Sequence, residues 1–394
     1  VNGTTHTTSG ITGRASVIVA NDDSIYNMTL DDVRFRGGGY ADTNGVITNY
    51  AVDLGSIAYD VASRDIKILN SRFEVCGGGI QLQGARNVKI NNCVFVSEDF
   101  GAENFTFEGM LEGITLTGPS STFSEYNNFR YGQSNKKASG DISITNCSFS
   151  GKQTSDTSSI PERGWIYITS QFTGPNVSIS NCNFTGDILG SNSNTAYPDS
   201  VDTALGNCIR NMALTNVSVS NCNFASYYNA IRQSKGNMRV SSCSFVDIAN
   251  HSIEIYDDKN SVINSATYGS ELLDGEANLF VEGCEFKSYN YDGLPTQSKL
   301  GIYIGSLDSN TTNKENSAVI KNCYFDTVDT AISAAGFLDG DIGLLAAFPV
   351  QCYSVIDISG CTFKNIPMEV LEGINMGRQS AADTGFSSYF RKDS

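Results

Sequence analysis

An all-β chain wound into a single rod of stacked coils is the fold class this sequence predicts, on three observations. A unit ending in Cys-x-Phe returns again and again along the 394 residues. Each copy follows a period-two alternation of apolar and polar residues, which marks a strand with one buried face. No segment of ten or more residues carries a convincing 3.6-residue apolar period.

The unit is plainest in Asn87-Val88-Lys89-Ile90-Asn91-Asn92-Cys93-Val94-Phe95 and in Asp141-Ile142-Ser143-Ile144-Thr145-Asn146-Cys147-Ser148-Phe149. It recurs with Asn176 to Phe184 and with Asn216 to Phe224, and again ending at Cys243/Phe245, Cys284/Phe286, Cys323/Phe325 and Cys361/Phe363. Copies without the Cys end at Phe35, Phe73 and Phe129, giving eleven in all. The shortest Phe-to-Phe steps are 20 to 22 residues, so the longer ones are the same unit with loops inserted. Within a unit, the Val-x-Ile stretch is the first strand. The Asn at 70, 92, 146, 181, 221 or 322 falls at the bend after it, because Asn tolerates left-handed backbone angles and its amide can bond the next Asn in a stack. Cys and Phe then point inward as columns. A strand with Ile, Val or Leu on its inner face follows each Phe turn. A unit of about twenty residues cannot bury its own apolar face, so it must stack in parallel register on its copies, about 4.8 Å apart.

On these repeats, residues 15 to 366 resemble the right-handed parallel β-helix superfamily, the pectate-lyase-like fold of polysaccharide lyases, hydrolases and phage tailspikes. The resemblance implies the handedness and a single-domain right-handed parallel β-helix of about eleven coils with long loop insertions. Residues 1–14 are expected to be an irregular N-terminal segment and 367–394 a C-terminal cap or tail. Two family features are absent: the Gly-His-Gly and Arg-Ile-Lys strings of polygalacturonase-type members do not occur. An amphipathic helix capping the first coil is also missing, since Ala15 to Ala20 already reads as strand. An uncapped coil exposes backbone edges, so more chain upstream or a partner is expected to cover that end. The first residues, Val1-Asn2-Gly3-Thr4, fit a processed product or a piece of something longer.

Eight of the 11 cysteines share one repeat position: Cys93, Cys147, Cys182, Cys222, Cys243, Cys284, Cys323 and Cys361. No Cys-x-x-Cys occurs, which speaks against zinc or redox chemistry. Side chains in register sit about 4.8 Å apart, whereas a disulfide brings its Cβ atoms to about 3.8 Å. Buried free thiols are therefore expected rather than a ladder of disulfides.

The strand after each Phe turn aligns an outward column: Asp53, Gln81, Thr115, Tyr167, Arg210, Arg232, Glu254, Tyr303 and Ser333, with Tyr256 and Gly305 two residues further on. Insertions flank this strand. Residues 96–112, 150–164, 185–207 and 287–300 come before it, and 257–278, 306–316 and 336–353 after it, so loops are expected to wall a groove suited to a linear polymer. Tyr167, Tyr256, Tyr303 and Trp165 would offer aromatic faces to sugar rings, and Arg210 would orient an anionic sugar. Glu254 with Asp257 or Asp258 would supply acid and base for glycoside hydrolysis. In a lyase, Arg232 would stabilise enolate-like charge while Asp257 and Asp258 held Ca²⁺. No other cofactor is expected. The plainer reading makes Arg232 and Glu254 a surface ion pair of little energy, His251 a turn residue and Asp257-Asp258 a solvated turn.

The formal charge of −16, from 26 Lys and Arg against 42 Asp and Glu, argues against nucleic acid as a partner. No run approaches eighteen apolar residues, so no membrane insertion is expected. The expected protein is extracellular or on a virion surface and binds, with or without cleaving, a cell-surface or acidic polysaccharide. The tailspike likeness implies a homotrimer. The expectation of a different class is a non-catalytic adhesin or structural fibre subunit.

Overall fold

The computed structural model describes residues 18–20, 25–36, 50–54, 63–74, 78–97, 112–118, 141–151, 164–169, 172, 176–186, 207–213, 215–255, 277–289, 300–304, 315–334, 353–366 and 374–376. These build three parallel sheets, each ordered strictly by sequence. The first has eleven strands, from Ile18–Ala20 to Ile374–Met376. The second runs over ten strands from Thr29–Asp31 to Tyr353–Ser359, and the third over ten from Arg34–Arg36 to Thr362–Lys364. One turn of chain visits the second, third and first sheets in order, and the next turn pairs one rung higher. This is a right-handed parallel β-helix.

The αL bend does the folding work the repeat foretells. Asn70, Asn92, Asn146, Asn181, Asn221 and Asn322 all have φ between 51° and 55°, separating a second-sheet strand from a third-sheet strand. Where the repeat lacks Asn, Asp32, Ser242, Gly283 or Gly360 takes the same bend. The amide of Asn92 donates to Asn70 Oδ1 at 2.8 Å, as the stacked turns lead one to expect, but Asn146 reaches Asn91 Oδ1 instead, at 2.9 Å. Inside, ten phenyl rings form one continuous stack from Phe35 to Phe363, with centroids 4.6 to 5.3 Å apart. The strand spacing dictates this separation, and near-parallel rings at that distance each add about 0.5–1.5 kcal/mol beyond area burial.

The stack corrects one element. Phe149 pairs directly with Phe95, ring on ring at 4.8 Å, so no rung fits between them. Phe129 is therefore not a coil. It lies outside the described residues, in the connection between Glu112–Thr117 and Ile142–Thr145. The phenyl column has ten rungs, not eleven.

The ladder cysteines are free, all buried except the half-buried Cys361. Each thiol donates to the carbonyl two residues back, as Cys147 does to Thr145 at 3.2 Å and Cys222 to Ser220 at 3.3 Å. Cys208, also free and fully buried, has its thiol pushed well above its ordinary range by burial. Ellman's reagent added in denaturant without reductant is thus expected to titrate at least nine thiols per chain. The native protein should show slow reaction at the eight buried ones. A lower titre in denaturant would mean that ladder thiols are oxidised.

Candidate functional site

The first-sheet column forms in the register its sequence alignment implies. Cα pairing runs Asp53, Gln81, Thr115, Tyr167, Arg210, Arg232, Glu254, Tyr303, Ser333 without a slip. Register holds because the inner neighbours, Val52, Ile80, Ile114, Ile166, Ile209, Ile231, Ile253, Ile302 and Ile332, are all fully buried. A one-residue slip would turn every one of them to the other face.

Outward along the backbone does not mean solvated. Arg210 is 1% exposed, and Arg232 and Glu254 are each 4% exposed. Arg232 Nε lies 3.0 Å from Glu254 Oε2, and His251 Nδ1 lies 3.4 Å from Glu254 Oε1. The expected surface ion pair is therefore a buried one, with both carboxylate oxygens engaged. Burial alone would raise the Glu254 pKa, but the charges of Arg232, His251 and Arg210 outweigh it and hold the carboxyl at about 2. His251 opens the strand His251–Ile255 rather than sitting in a turn. Its ring stacks on Tyr303, with centroids 4.7 Å apart and planes 9° from parallel. Asn229 Oδ1 accepts from the His251 backbone N–H at 3.2 Å and from Asn250 Nδ2 at 3.1 Å, which fixes the entry to this strand.

Tyr167 is half-buried, and its hydroxyl donates to Met212 Sδ at 3.3 Å. Tyr303 is also half-buried. Trp165 is not a sugar platform. It is fully buried, tilted against Phe149 at 5.9 Å, and donates its indole N–H to Tyr227 Oη at 2.7 Å. Other coils carry the small residues Ala51, Gly79, Gly113, Ala230 or Gly301 at this position. Gly113 makes room: a Cβ there would come 2.8 Å from the Trp165 carbonyl oxygen and 3.2 Å from its ring. Tyr256, Asp257 and Asp258 lie outside the described residues, as do most of the flanking insertions. Ca²⁺ binding at that aspartate pair therefore has no described geometry. Among the described residues, no cluster of three or more His, Cys, Asp or Glu is arranged to hold a metal ion.

Three polar groups escaped the sequence reading. Ser234, two residues beyond Arg232 on the same alternation, is 4% exposed with a hydroxyl that has no hydrogen-bond partner. Asn211 and Gln233 replace the aliphatic residues of the inner column. The Asn211 amide donates to Lys235 O at 2.8 Å and the Gln233 amide to Gly236 O at 2.6 Å, both tying down the tight connection after the strand Asn229–Gln233. The signal was visible as a polar residue at an inward position of an otherwise aliphatic column.

Chemically, a carboxyl held below its ordinary range is ionised near neutral pH, which suits Glu254 to a weak base rather than a general acid. Asp53 has the opposite character: burial raises its pKa, and its Oδ1 is buried without a partner. It stands six rungs from Glu254, about 29 Å at the strand spacing, whereas glycosidase carboxyls sit about 5–9.5 Å apart. These two cannot act on one bond. Comparison of the sequence with protein-family models and with curated proteins yields no match.

Proposed function

We propose that this chain is a β-helical surface protein, extracellular or carried on a virion, that binds a cell-surface or acidic polysaccharide along the outer row of its first sheet. The observation that carries the reading is the unbroken register of Tyr167, Arg210, Arg232, Glu254 and Tyr303 on five consecutive coils. At the strand spacing this row is about 19 Å long, enough for several sugar units. The half-buried tyrosines at its two ends offer apolar ring surface to sugars, and the charge of the buried guanidiniums between them favours a carboxylate-bearing sugar without touching it. Binding fits better than cleavage, because Glu254 is ionised and occupied on both oxygens. A homotrimer, with further contacts through the first coil, accompanies this reading by analogy with tailspikes alone.

The burial of Arg210, Arg232 and Glu254 favours a second reading. In an adhesin or structural fibre subunit without glycan affinity, the charged row would be an internal brace. Titration against a panel of acidic capsular and pectic polymers separates the two. The double variant Tyr167→Ala/Tyr303→Ala is expected to weaken binding about tenfold, with the far-UV spectrum unchanged. Assays for new reducing ends and 4,5-unsaturated products should stay blank. A folded protein that binds none of the polymers leaves the second reading standing.

A further inference from the structure

The outer face of the second sheet carries a separate row. Asn176, Asn216, Asn237, Asn278 and Ser317 hold one register position on five consecutive coils. Their side chains form a ladder. Asn216 donates to Asn176 Oδ1 at 3.2 Å, Asn237 to Asn216 at 2.9 Å, Asn278 to Asn237 at 3.0 Å, and Ser317 Oγ to Asn278 at 2.6 Å. A primary amide has two N–H groups and two oxygen lone pairs, and the ladder uses one of each. Asn216 and Asn237, both exposed, therefore each keep a donor and an acceptor for something outside the protein.

Two residues along each strand stands a parallel row of Ser218, Arg239, Phe280 and Val319. The Arg239 guanidinium lies 4.5 Å from the centre of the Phe280 ring and pairs with Glu282 Oε2 at 2.9 Å. Both rows line a groove of about 410 Å³ on this face, within the size range of small-ligand sites.

The pattern restricts the occupant. A donor and acceptor recur at each rung, about every 4.8 Å, in a straight line along the coil axis. An extended β-linked pyranose chain presents hydroxyls at close to that interval and ring C–H faces that suit Phe280. A β-strand from another protein does not match, because its backbone groups face one side only about every 6.8 Å. The floor is uncharged and Arg239 is balanced by Glu282, so a polyanion gains nothing here. We propose that this second-sheet groove binds an uncharged β-linked glycan chain lying parallel to the coil axis, successive sugars resting on successive rungs of the Asn ladder. The site is independent of the first-sheet row.

Calorimetric titration with β-1,4-linked oligomers of glucose and of N-acetylglucosamine tests it. With at least one of the two sugars, the hexamer is expected to bind about tenfold more tightly than the dimer, since it engages more rungs. Asn237→Ala and Phe280→Ala should each weaken the hexamer about fivefold, Phe280→Tyr should restore it, and Tyr167→Ala/Tyr303→Ala should leave it unchanged. Arg239→Gln, at an exposed position, serves if Phe280→Ala fails to fold. Absence of binding by both hexamers, equal affinity for dimer and hexamer, or insensitivity to the groove variants overturns the proposal. So does sedimentation showing two copies of the chain joined through this face and separated by Phe280→Ala. Failure of the first-sheet row to bind acidic polymers leaves this result untouched, because the two rows have different variants and different ligands.

Discussion

Replacing Phe184 by alanine is expected to destabilise the protein by about 3–5 kcal/mol, the range for emptying a large aromatic site in a packed core. Phe184 is fully buried between Phe149 at 4.6 Å and Phe224 at 4.8 Å, so its loss leaves two ring faces without a partner. The rigid 4.8 Å rung spacing limits collapse of the neighbours into the gap, which places the cost at the upper end of that range. Phe363, at the end of the stack, is only half-buried and 5.3 Å from Phe325, so Phe363→Ala should cost less than half as much. Denaturant unfolding followed by far-UV circular dichroism compares the two. Equal midpoints for both variants would show that the column does not carry the stability assigned to it.

The second large effect concerns the buried charges. Glu254→Gln removes the partner of Arg232 in a site where both residues are 4% exposed, and breaking such a pair from one side costs about 3–5 kcal/mol. The double variant Arg232→Met/Glu254→Gln should recover much of that loss, because the uncompensated charge is gone as well. The same pair sets a pH dependence whose sign follows from its direction. The Glu254 pKa falls from 4.5 to about 2 on folding, so its contribution is fully present above about 4.5 and is lost as pH falls through that range toward 2. The size is on the order of 3 kcal/mol. Unfolding midpoints measured between pH 6 and pH 2.5 should therefore drop more steeply for the wild type than for the double variant. Parallel curves would contradict the assigned ionisation.

Much of this architecture was legible in the residues, for a definite reason. The Asn bends, the Cys and Phe columns and the first-sheet alignment from Asp53 to Ser333 repeat at equivalent positions, and each copy meets the same neighbours above and below. Phe129 shows the limit of reading repeats one at a time. It fits the local pattern, yet Phe95 and Phe149 are already in contact and leave it no rung. Trp165 shows another. Its place just before Tyr167 suggested an aromatic face for sugars, but Gly113 one coil away opens the interior to an indole ring.

What the sequence by itself determined is the coil: its strands, its αL turns, its parallel register and the identity of each column, because these follow from local backbone preference and a period that recurs. Tertiary structure decided the environments. It made Arg232 and Glu254 an interior pair, held Glu254 ionised, turned Trp165 into the core and lined up five side chains as a ladder beside Phe280. Each of these depends on atoms from coils some twenty to sixty residues away in the chain. Burial and electrostatics are set by that three-dimensional company, to which a periodic pattern along one strand is blind.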